Sequence, residues 1–461
     1  MPKASSSPAQ QQRPSLWRSS ASESLTLRQG RIPRSSMIGS PDNCRRKTGR
    51  EDIMADDLRP NGAVQSILEL SAFNPAAREN PHPMLKAMRE DCPVFRDETA
   101  KVWLLSRYKD VRETVNDRTF VRHPTKAEEG SLSARFVEER QERGTSILFL
   151  DNPDHARIRQ PLAKAFYARI NAMRPEIEAM IDAIIEKAPV SGPFDLMAEI
   201  AVPVPVLVIA RILGVDEARL DDFRQWSEEV ILGLNPVRTP EEDEALIRGA
   251  YALDAYFAEL MEARRKSPQD DLVSDMVKLQ ASGEAEISDG ELRNNLEALL
   301  VGGNLTTTDL IGNGVWLFLT HPGQIGTFRD NPGLAAQAVE EVLRFEAPVS
   351  VTSRILPDDR VVGGCPMKAR QPVWMSLAGA NRDPDVFEDA ETFDITRKRA
   401  SHVAFGGGPH ICIGAPLARI EARHVYLKLF ERYPNLKLPE QEMVWRSLPF
   451  FRGLEKLIVE G

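Results

Sequence analysis

The chain has 461 residues, 42% of them hydrophobic, which is enough to bury a large core. Its formal net charge of -9 at pH 7 argues against a nucleic-acid partner, which would require a basic face. Four cysteines without a CxxC pair exclude a disulfide framework or a zinc site and indicate a reducing, cytoplasmic location. No apolar run reaches the roughly 18 residues that a membrane span needs.

Residues 1–53 differ in composition from the rest of the chain. They are rich in Ser, Gln, Pro and Arg, and they cannot bury enough apolar surface to offset chain entropy. We therefore predict a disordered N-terminal extension. Its basic character weakly resembles a transit peptide, although a natural start at Met54 is the simpler interpretation. Residues 54–461 are predicted to form one domain, mainly α with small β-sheets (α+β).

Globular patterning begins near Ile67, and helical periodicity dominates from there. Strand-like segments are predicted at Val102–Ser106 and between Val349 and Met375, around a Gly-Gly turn. Between them, the segment DNPDHARIRQPLAKAF places His155 and Arg159 one helical turn apart, so both side chains share a face.

One predicted helix is unusually long. A capping box at Ser288 and Glu291 opens it, and the apolar pattern continues to His321, which is about 30 residues or roughly 45 Å. Its middle, VGGNLTTT, holds two adjacent glycines, each costing about 1 kcal/mol relative to alanine. The glycines indicate either close helix packing or room for a ligand beside the backbone.

The segment HVAFGGGPHICIGAPLAR, residues 402–419, carries the strongest signal. Three glycines allow a loop that closely approaches a flat ligand, and Cys412 follows just before a helix that Pro416 opens. Free N–H groups and the helix dipole favour a thiolate there, a ligand for a soft metal ion. A lone cysteine is more often a small buried apolar residue, but the surrounding glycines and Phe405 favour the metal-ligand interpretation.

The loop resembles the FxxGxxxCxG haem-binding motif of the cytochrome P-450 superfamily, with matches at Phe405, Gly408, Cys412 and Gly414. His410 stands where that family has His or Arg. Glu341 and Arg344 resemble the family's ExxR pair. The resemblance extends from Ile67 to the C-terminus and implies the cytochrome P-450 fold, a single domain with a long central helix over the haem.

The resemblance also implies heme b (iron protoporphyrin IX) as the cofactor, with Cys412 as axial ligand of the iron. Glu341 and Arg344 would have a structural role, locking their helix to the segment near Asn381 and Arg397. Propionate contacts are expected from His155, Arg159, Arg354 and His402. Further cofactor contacts are expected from Phe405, Gly408, His410 and Gly414.

The implied activity is that of a haem monooxygenase, which inserts one atom of dioxygen into a small organic substrate. Electrons would come from NAD(P)H through ferredoxin reductase and ferredoxin. A peroxygenase that uses hydrogen peroxide and a non-catalytic haem ligand sensor are the alternatives. Thr306 is the expected catalytic residue, but Leu305 stands where the family usually has an acid. A water chain is the expected substitute for that acid, because the i+3 position of Asp309 does not fix the direction of its side chain.

Two surfaces follow from the same resemblance. The substrate pocket should include Val301, Gly302, Thr306, residues 349–352 and Phe450, with residues 122–146 as its cap. Substrate carboxylate binding by Arg122, Lys126 and Arg135 would suit a small aromatic acid, although exposed loop charges explain these residues as well. On the opposite side, Arg157, Lys164 and Arg169 could steer an acidic ferredoxin.

Overall fold

Helices form most of the structure, and the long ones surround a common core. The computed structural model describes residue 64 and residues 66–136, 146–398 and 401–461, all within one unit that spans residues 46–461. The predicted extension, residues 1–53, lies outside the described residues. In the described part of the chain, no helix is both long enough and apolar enough to cross a bilayer.

The α-helices are, in chain order, α1 (Pro75–Glu79), α2 (His82–Asp91), α3 (Tyr108–Asn116), α4 (Asp154–Lys187), α5 (Pro203–Leu213), α6 (Leu220–Val230), α7 (Pro240–Lys266), α8 (Leu272–Ala281), α9 (Asp289–Thr320), α10 (Pro322–Asp330), α11 (Ala335–Phe345), α12 (Leu377–Ala380) and α13 (Ala415–Arg432). Single turns of 3₁₀ helix lie at Ile67–Leu70, Pro124–Lys126, Ala134–Phe136, Glu217–Arg219, Ile231–Leu234, Pro332–Leu334 and Gly408–His410, and a π-helical turn lies at Met197–Ala201.

The strands form small sheets, as the sequence predicts. They are β1 (Val94–Asp97), β2 (Val102–Leu105), β3 (Pro193–Asp195), β4 (Val351–Ile355), β5 (Arg360–Val362), β6 (Cys365–Met367), β7 (Pro372–Ser376), β8 (Val444–Trp445), β9 (Leu454–Lys456) and β10 (Ile458–Glu460). The largest sheet has the order β1-β2-β7-β4, with β2 and β7 parallel and the outer pairs antiparallel. The other pairs, β3–β10, β5–β6 and β8–β9, are antiparallel.

The long helix α9 confirms its prediction. Its 32 residues begin after a capping box in which Ser288 and Glu291 satisfy each other's backbone N–H groups. The C-terminal half is buried, and Phe318 packs edge-on against Tyr426 and Phe430 of α13. Tyr426 donates a hydrogen bond to the Leu310 carbonyl at 2.6 Å. These contacts hold α13, and with it the preceding cysteine loop, in a fixed position against α9.

The helix α4 carries the predicted pair His155 and Arg159. The structure places both residues in one continuous helix of 34 residues. Pro161 and Pro175 lie inside it. Each proline removes one backbone hydrogen bond, but the apolar face from Ile158 to Ile185 is buried throughout and outweighs that loss.

Candidate active site

A glycine-rich loop brings Cys412 to the N-terminus of α13. Gly406 and Gly408 adopt φ values of +69° and +62°, and a Cβ atom on Gly408 would lie 2.6 Å from the Val115 carbonyl oxygen. The left-handed backbone and the close approach both require glycine. The Gly408 N–H donates to Asn116 Oδ1 at 3.0 Å, which ties the loop to the end of α3.

Cys412 is exposed as a residue, whereas Cys92 is half-buried and Cys365 is buried. The backbone N–H of Cys412 donates to the Phe405 carbonyl at 3.0 Å. Desolvation by the protein atoms around the thiol raises the pKa of Cys412, and the backbone N–H of Gly414 acts in the opposite direction. A coordinating metal ion deprotonates a thiol outright, so the site suits a metal that binds on the accessible side.

Five basic side chains gather beside this loop: Arg122, His155, Arg159, Arg354 and His410. Consecutive turns of α4 supply His155 and Arg159, and the ring of His155 lies 4.2 Å from that of His410, centroid to centroid. Arg354 donates to the Gly407 carbonyl at 3.3 Å, and Arg159 donates to the Ile411 carbonyl. The backbone of the cysteine loop therefore anchors part of this cation cluster.

The cation cluster holds more positive charge than its surroundings neutralise. Burial lowers the pKa of Arg122 to about 10, and burial together with Arg122 lowers the pKa of Arg354 to about 9. Burial and the nearby arginines lower the pKa of His155 to about 4 and also lower the pKa of His410. Asp151 is the acid that opposes these shifts at Arg122, His155 and Arg354.

Two polar atoms of the cation cluster are buried without a hydrogen-bond partner among the described residues, Nε2 of His155 and Nε of Arg122. Unpaired buried donors and surplus charge are unfavourable unless a ligand supplies acceptors. Anionic groups such as carboxylates form strong charge-assisted hydrogen bonds with such a cluster. Together with a thiol that suits a metal, the cluster fits haem, which carries iron at its centre and propionates on one edge.

The Glu341–Arg344 pair lies behind the loop and is almost completely buried. Two hydrogen bonds of 2.7 and 2.8 Å join the guanidinium to the carboxylate. Arg344 also donates to the Asn381 carbonyl at 3.1 Å, and Arg397 lies 3.2 Å from Glu341. Every partner of this pair belongs to α11 or to the segment that precedes the loop, which is the arrangement that the sequence predicts for a structural lock.

The middle of α9 leaves an accessible groove beside its backbone. Nothing lies within 4 Å of a Cβ atom placed on Gly302, and Gly302 is exposed. One turn later, the Thr306 hydroxyl donates to the Gly302 carbonyl at 2.8 Å. Leu305 packs against the core and carries no proton to exchange. The two glycines therefore differ, because a Cβ atom on Gly303 would lie 3.5 Å from Ile209 whereas Gly302 borders open space.

Comparison with known proteins agrees with this geometry. The cytochrome P450 family profile matches residues 332–456. Cytochrome P450 107B1 of Saccharopolyspora erythraea is 36% identical over 411 residues, covering 85% of this chain and 98% of that protein. The 6-deoxyerythronolide B hydroxylase of the same organism is 33% identical, over 81% and 94% of the two chains. The crystal structure of P450BioI with an acyl carrier protein that carries hexadec-9Z-enoic acid superposes with a TM-score of 0.77, at 30% identity, over 84% of this chain and 100% of that one.

The chain belongs to the cytochrome P450 family. It therefore has the cytochrome P450 fold, depends on haem b and is an oxidoreductase of the monooxygenase type. The fold class, the cofactor and the class of enzyme that the sequence predicts are thus confirmed. The roles of individual residues are not tested by the comparisons, and they remain predictions that the geometry supports to different degrees.

His402 is the predicted propionate contact that lies apart from the cation cluster. Its Nε2 atom is 3.1 Å from the Glu340 carboxylate, and its Nδ1 atom accepts from the Ala404 N–H at 3.2 Å. Arg419 shares Glu340 and lies over the Phe405 ring, 4.6 Å from its centroid. Both ring nitrogens of His402 thus have protein partners, and a propionate would have to compete with Glu340.

Arg122 is the member of the P450 cation cluster that sequence reasoning assigns to another site. The sequence suggests it as a substrate contact, because it begins a loop far from the cysteine motif. The structure brings it into the cluster through Asp151, whose Oδ1 accepts from the Arg122 N–H at 2.6 Å. No local pattern links two residues 29 positions apart, so only the fold could reveal this placement.

Proposed function

We propose that this enzyme inserts one atom of dioxygen into an organic substrate, using electrons from NAD(P)H that arrive through ferredoxin reductase and ferredoxin. The observation that supports it best is the exposed residue Cys412 beside a cluster of under-neutralised cations. Bound haem b supplies the redox centre that activates dioxygen, and a thiolate ligand favours cleavage of the O–O bond. The chain's own residues would hold that group, position the substrate and deliver protons.

In this proposal, Cys412 is the axial ligand of the haem iron. Propionates would be held by His155, Arg159, Arg354 and His410, together with Arg122. The left-handed turns at Gly406 and Gly408 would let the loop lie close to the haem plane, and Gly302 would leave room for dioxygen beside Thr306. His402 would act by fixing the loop through Glu340 rather than through a free ring nitrogen.

The substrate is more consistent with an uncharged, largely apolar molecule than with a small aromatic acid. Two of the three suggested cations are engaged, because Arg122 belongs to the cation cluster and Lys126 lies 2.9 Å from Asp151. The expected lining of the substrate pocket, which includes Val301, Val349 and Phe450, is mainly apolar. One relative is named 6-deoxyerythronolide B hydroxylase. One solved neighbour is in complex with an acyl carrier protein that carries hexadec-9Z-enoic acid. Neither named compound is a small aromatic acid.

The proposed ferredoxin contact depends on Lys164 more than on its neighbours. Arg157 pairs with Glu291 at 2.6 Å, and Arg169 pairs with Asp275 at 2.6 Å, so both are largely neutralised. Lys164 on α4 and Arg423 on α13 are exposed, and neither forms an ion pair within the described part of the chain. The exposed Ile411 beside Cys412 adds an apolar contact to this surface.

The proposal is tested by product formation from NADH with a small ferredoxin and its reductase, with isotopically labelled dioxygen. Labelled product that requires both proteins supports the proposal. Product formed only with hydrogen peroxide would make the enzyme a peroxygenase, and haem binding with no product under either condition would make it a sensor. We expect Lys164→Glu to slow reduction in a salt-dependent way, whereas Lys456→Glu, an exposed lysine on β9, should not.

A further inference from the structure

An acid is missing from α9 at position 305, but another acid lies one turn further along. Within the helix segment 301–313, which the structure describes completely, Asp309 is the only acidic residue. It is completely buried, with 0% exposure. Oδ1 lies 3.2 Å from the Arg446 guanidinium, and Oδ2 has no hydrogen-bond partner in the described part of the protein.

Asp309 follows Thr306 by three residues, so the two side chains share one face of α9. The carboxylate is accommodated against Gly453, where a Cβ atom would lie 1.9 Å from Oδ1. Any larger residue at 453 would force the carboxylate away. The C-terminal β8–β9 hairpin is therefore shaped around this acid, and it also supplies Arg446, which immediately follows β8.

A cavity of about 210 Å³ with both polar and apolar lining lies between α6, α9 and the β8–β9 hairpin, and Arg446 borders it. Its lining includes the buried Asn304 and Thr308, the partly buried Arg446, and the exposed Arg224 and Glu228. The cavity thus extends from the surface to the guanidinium that contacts Asp309.

Several buried polar atoms that border this cavity have no partner among the described residues. They are Oγ1 of Thr308, Oγ of Ser227 and Nε of Arg446. Each would be unfavourable in a dry cavity, and a partly polar cavity of this volume holds several water molecules. Water is therefore the expected occupant, and it would complete a polar path from the surface to the inner face of α9.

We propose that Asp309 is the internal acid of a proton path that enters through this cavity and ends at Thr306. The inference rests on the proposed monooxygenase activity, in which each turnover consumes two protons and two electrons and releases one water. A proton would leave Asp309 Oδ2 for water beside the Thr306 hydroxyl. Cavity water ordered by Arg446 would then return a proton to Oδ2, so the carboxyl group is regenerated in each cycle.

Asp309 also has a suitable pKa for this role. Burial raises its pKa to about 6, and Arg446, the charged group that acts on it, limits the shift. A group with a pKa close to the working pH can both donate and accept a proton within one cycle. A purely structural Asp309–Arg446 pair would instead keep the acid ionised and would not exchange its proton with solvent.

The first test uses the resting haem-loaded enzyme without turnover, by infrared spectroscopy of protonated carboxyl groups. Glu421 is a second buried acid with unpartnered oxygens, but it lies on α13 and does not border the cavity. Asp309→Asn should remove one carboxyl band that titrates near pH 6, and Glu421→Gln should remove a different one. The Asp309 band should shift rapidly in heavy water, and Ser227→Leu, which fills the cavity, should slow that shift. An Asp309 carboxylate that is ionised well below pH 6, or exchange unaffected by Ser227→Leu, overturns the proposal.

The second test measures both the rate of product formation and the coupling, which is the fraction of NADH electrons that appear in product. Asp309→Asn should lower product formation by at least about tenfold, within the range of general acid catalysis, whereas Glu421→Gln should leave it unchanged. Adding Leu305→Asp to Asp309→Asn should restore much of the coupling, because an acid then lies beside Thr306 again. Loss of coupling without rescue would indicate a structural role for Asp309. If the unmodified enzyme forms no product, the proposed function fails, while the infrared result still decides the role of Asp309.

Discussion

The cysteine loop and the middle of α9 both border the proposed haem site, but they use buried polar groups in opposite ways. Around the loop, permanent cations gather with too few acids, and the expected ligand completes their neutralisation. In α9, one acid is buried beside a single arginine and a partly polar cavity. Fixed charge suits binding, whereas a group with a pKa near neutrality suits proton transfer. The two regions therefore differ in the kind of charged group that they bury.

The largest expected effect concerns the buried Glu341–Arg344 pair behind the cysteine loop. Glu341→Ala removes the carboxylate that pairs with Arg344 at 2.7 Å and leaves a buried guanidinium without its partner. Breaking a buried ion pair in this way costs about 3–5 kcal/mol, so we expect strong destabilisation and loss of haem binding. Chemical unfolding monitored by circular dichroism measures the free-energy change. Glu340→Ala, a half-buried neighbour on the same helix, should cost much less, and equal losses for the two variants would contradict the structural lock.

The next largest effect concerns Arg122, a fixed charge of the cation cluster. Arg122→Leu removes a buried cation whose Nε atom has no protein partner, so binding of the ligand should suffer more than folding does. Losing one charge-assisted hydrogen bond of about 1.5–3 kcal/mol should weaken haem binding roughly ten- to a hundred-fold. Haem transfer to an acceptor protein measures this affinity. Unchanged haem retention would place Arg122 with the substrate instead.

A smaller effect is expected in the middle of α9, where proton transfer is proposed. Thr306→Ala removes the hydroxyl one turn after Gly302, and it should raise several-fold the share of NADH electrons lost to hydrogen peroxide, with haem content unchanged. Leu305→Asp alone should retain activity and lower that loss. Peroxide and product are quantified in the same reaction. If Thr306→Ala leaves the ratio intact, Thr306 is not the donor on the oxygen side, and the peroxide-using alternative gains support.

The smallest effect is expected outside both regions. A chain that starts at Met54 should bind haem, unfold and turn over like the full-length protein, because the composition of residues 1–53 does not support a packed core. Thermal unfolding of the two chains provides the comparison. A drop of several degrees on truncation would mean that the extension packs against the enzyme.

The loop and the long helices could be predicted from the sequence because their determinants are local. The glycines, Cys412, the capping box at Ser288 and the helical pitch between His155 and Arg159 all act over a few residues. The one-helix continuity of α4 could not be predicted, since proline normally ends a helix and only tertiary burial outweighs it. The same limit applies to the placement of Arg122. It also applies to the pair of Asp309 and Arg446, which lie 137 residues apart in the chain.

The central claim is that Cys412 binds the haem iron as a thiolate, and the reduced protein with carbon monoxide tests it most directly. The unmodified enzyme should show the red-shifted Soret band that thiolate ligation produces. Cys412→His should retain haem but lose that band and the monooxygenase activity, whereas Cys365→Ala, at a buried position in β6, should keep both. A thiolate band that survives in Cys412→His, or that disappears in Cys365→Ala, would contradict the assignment of the axial ligand.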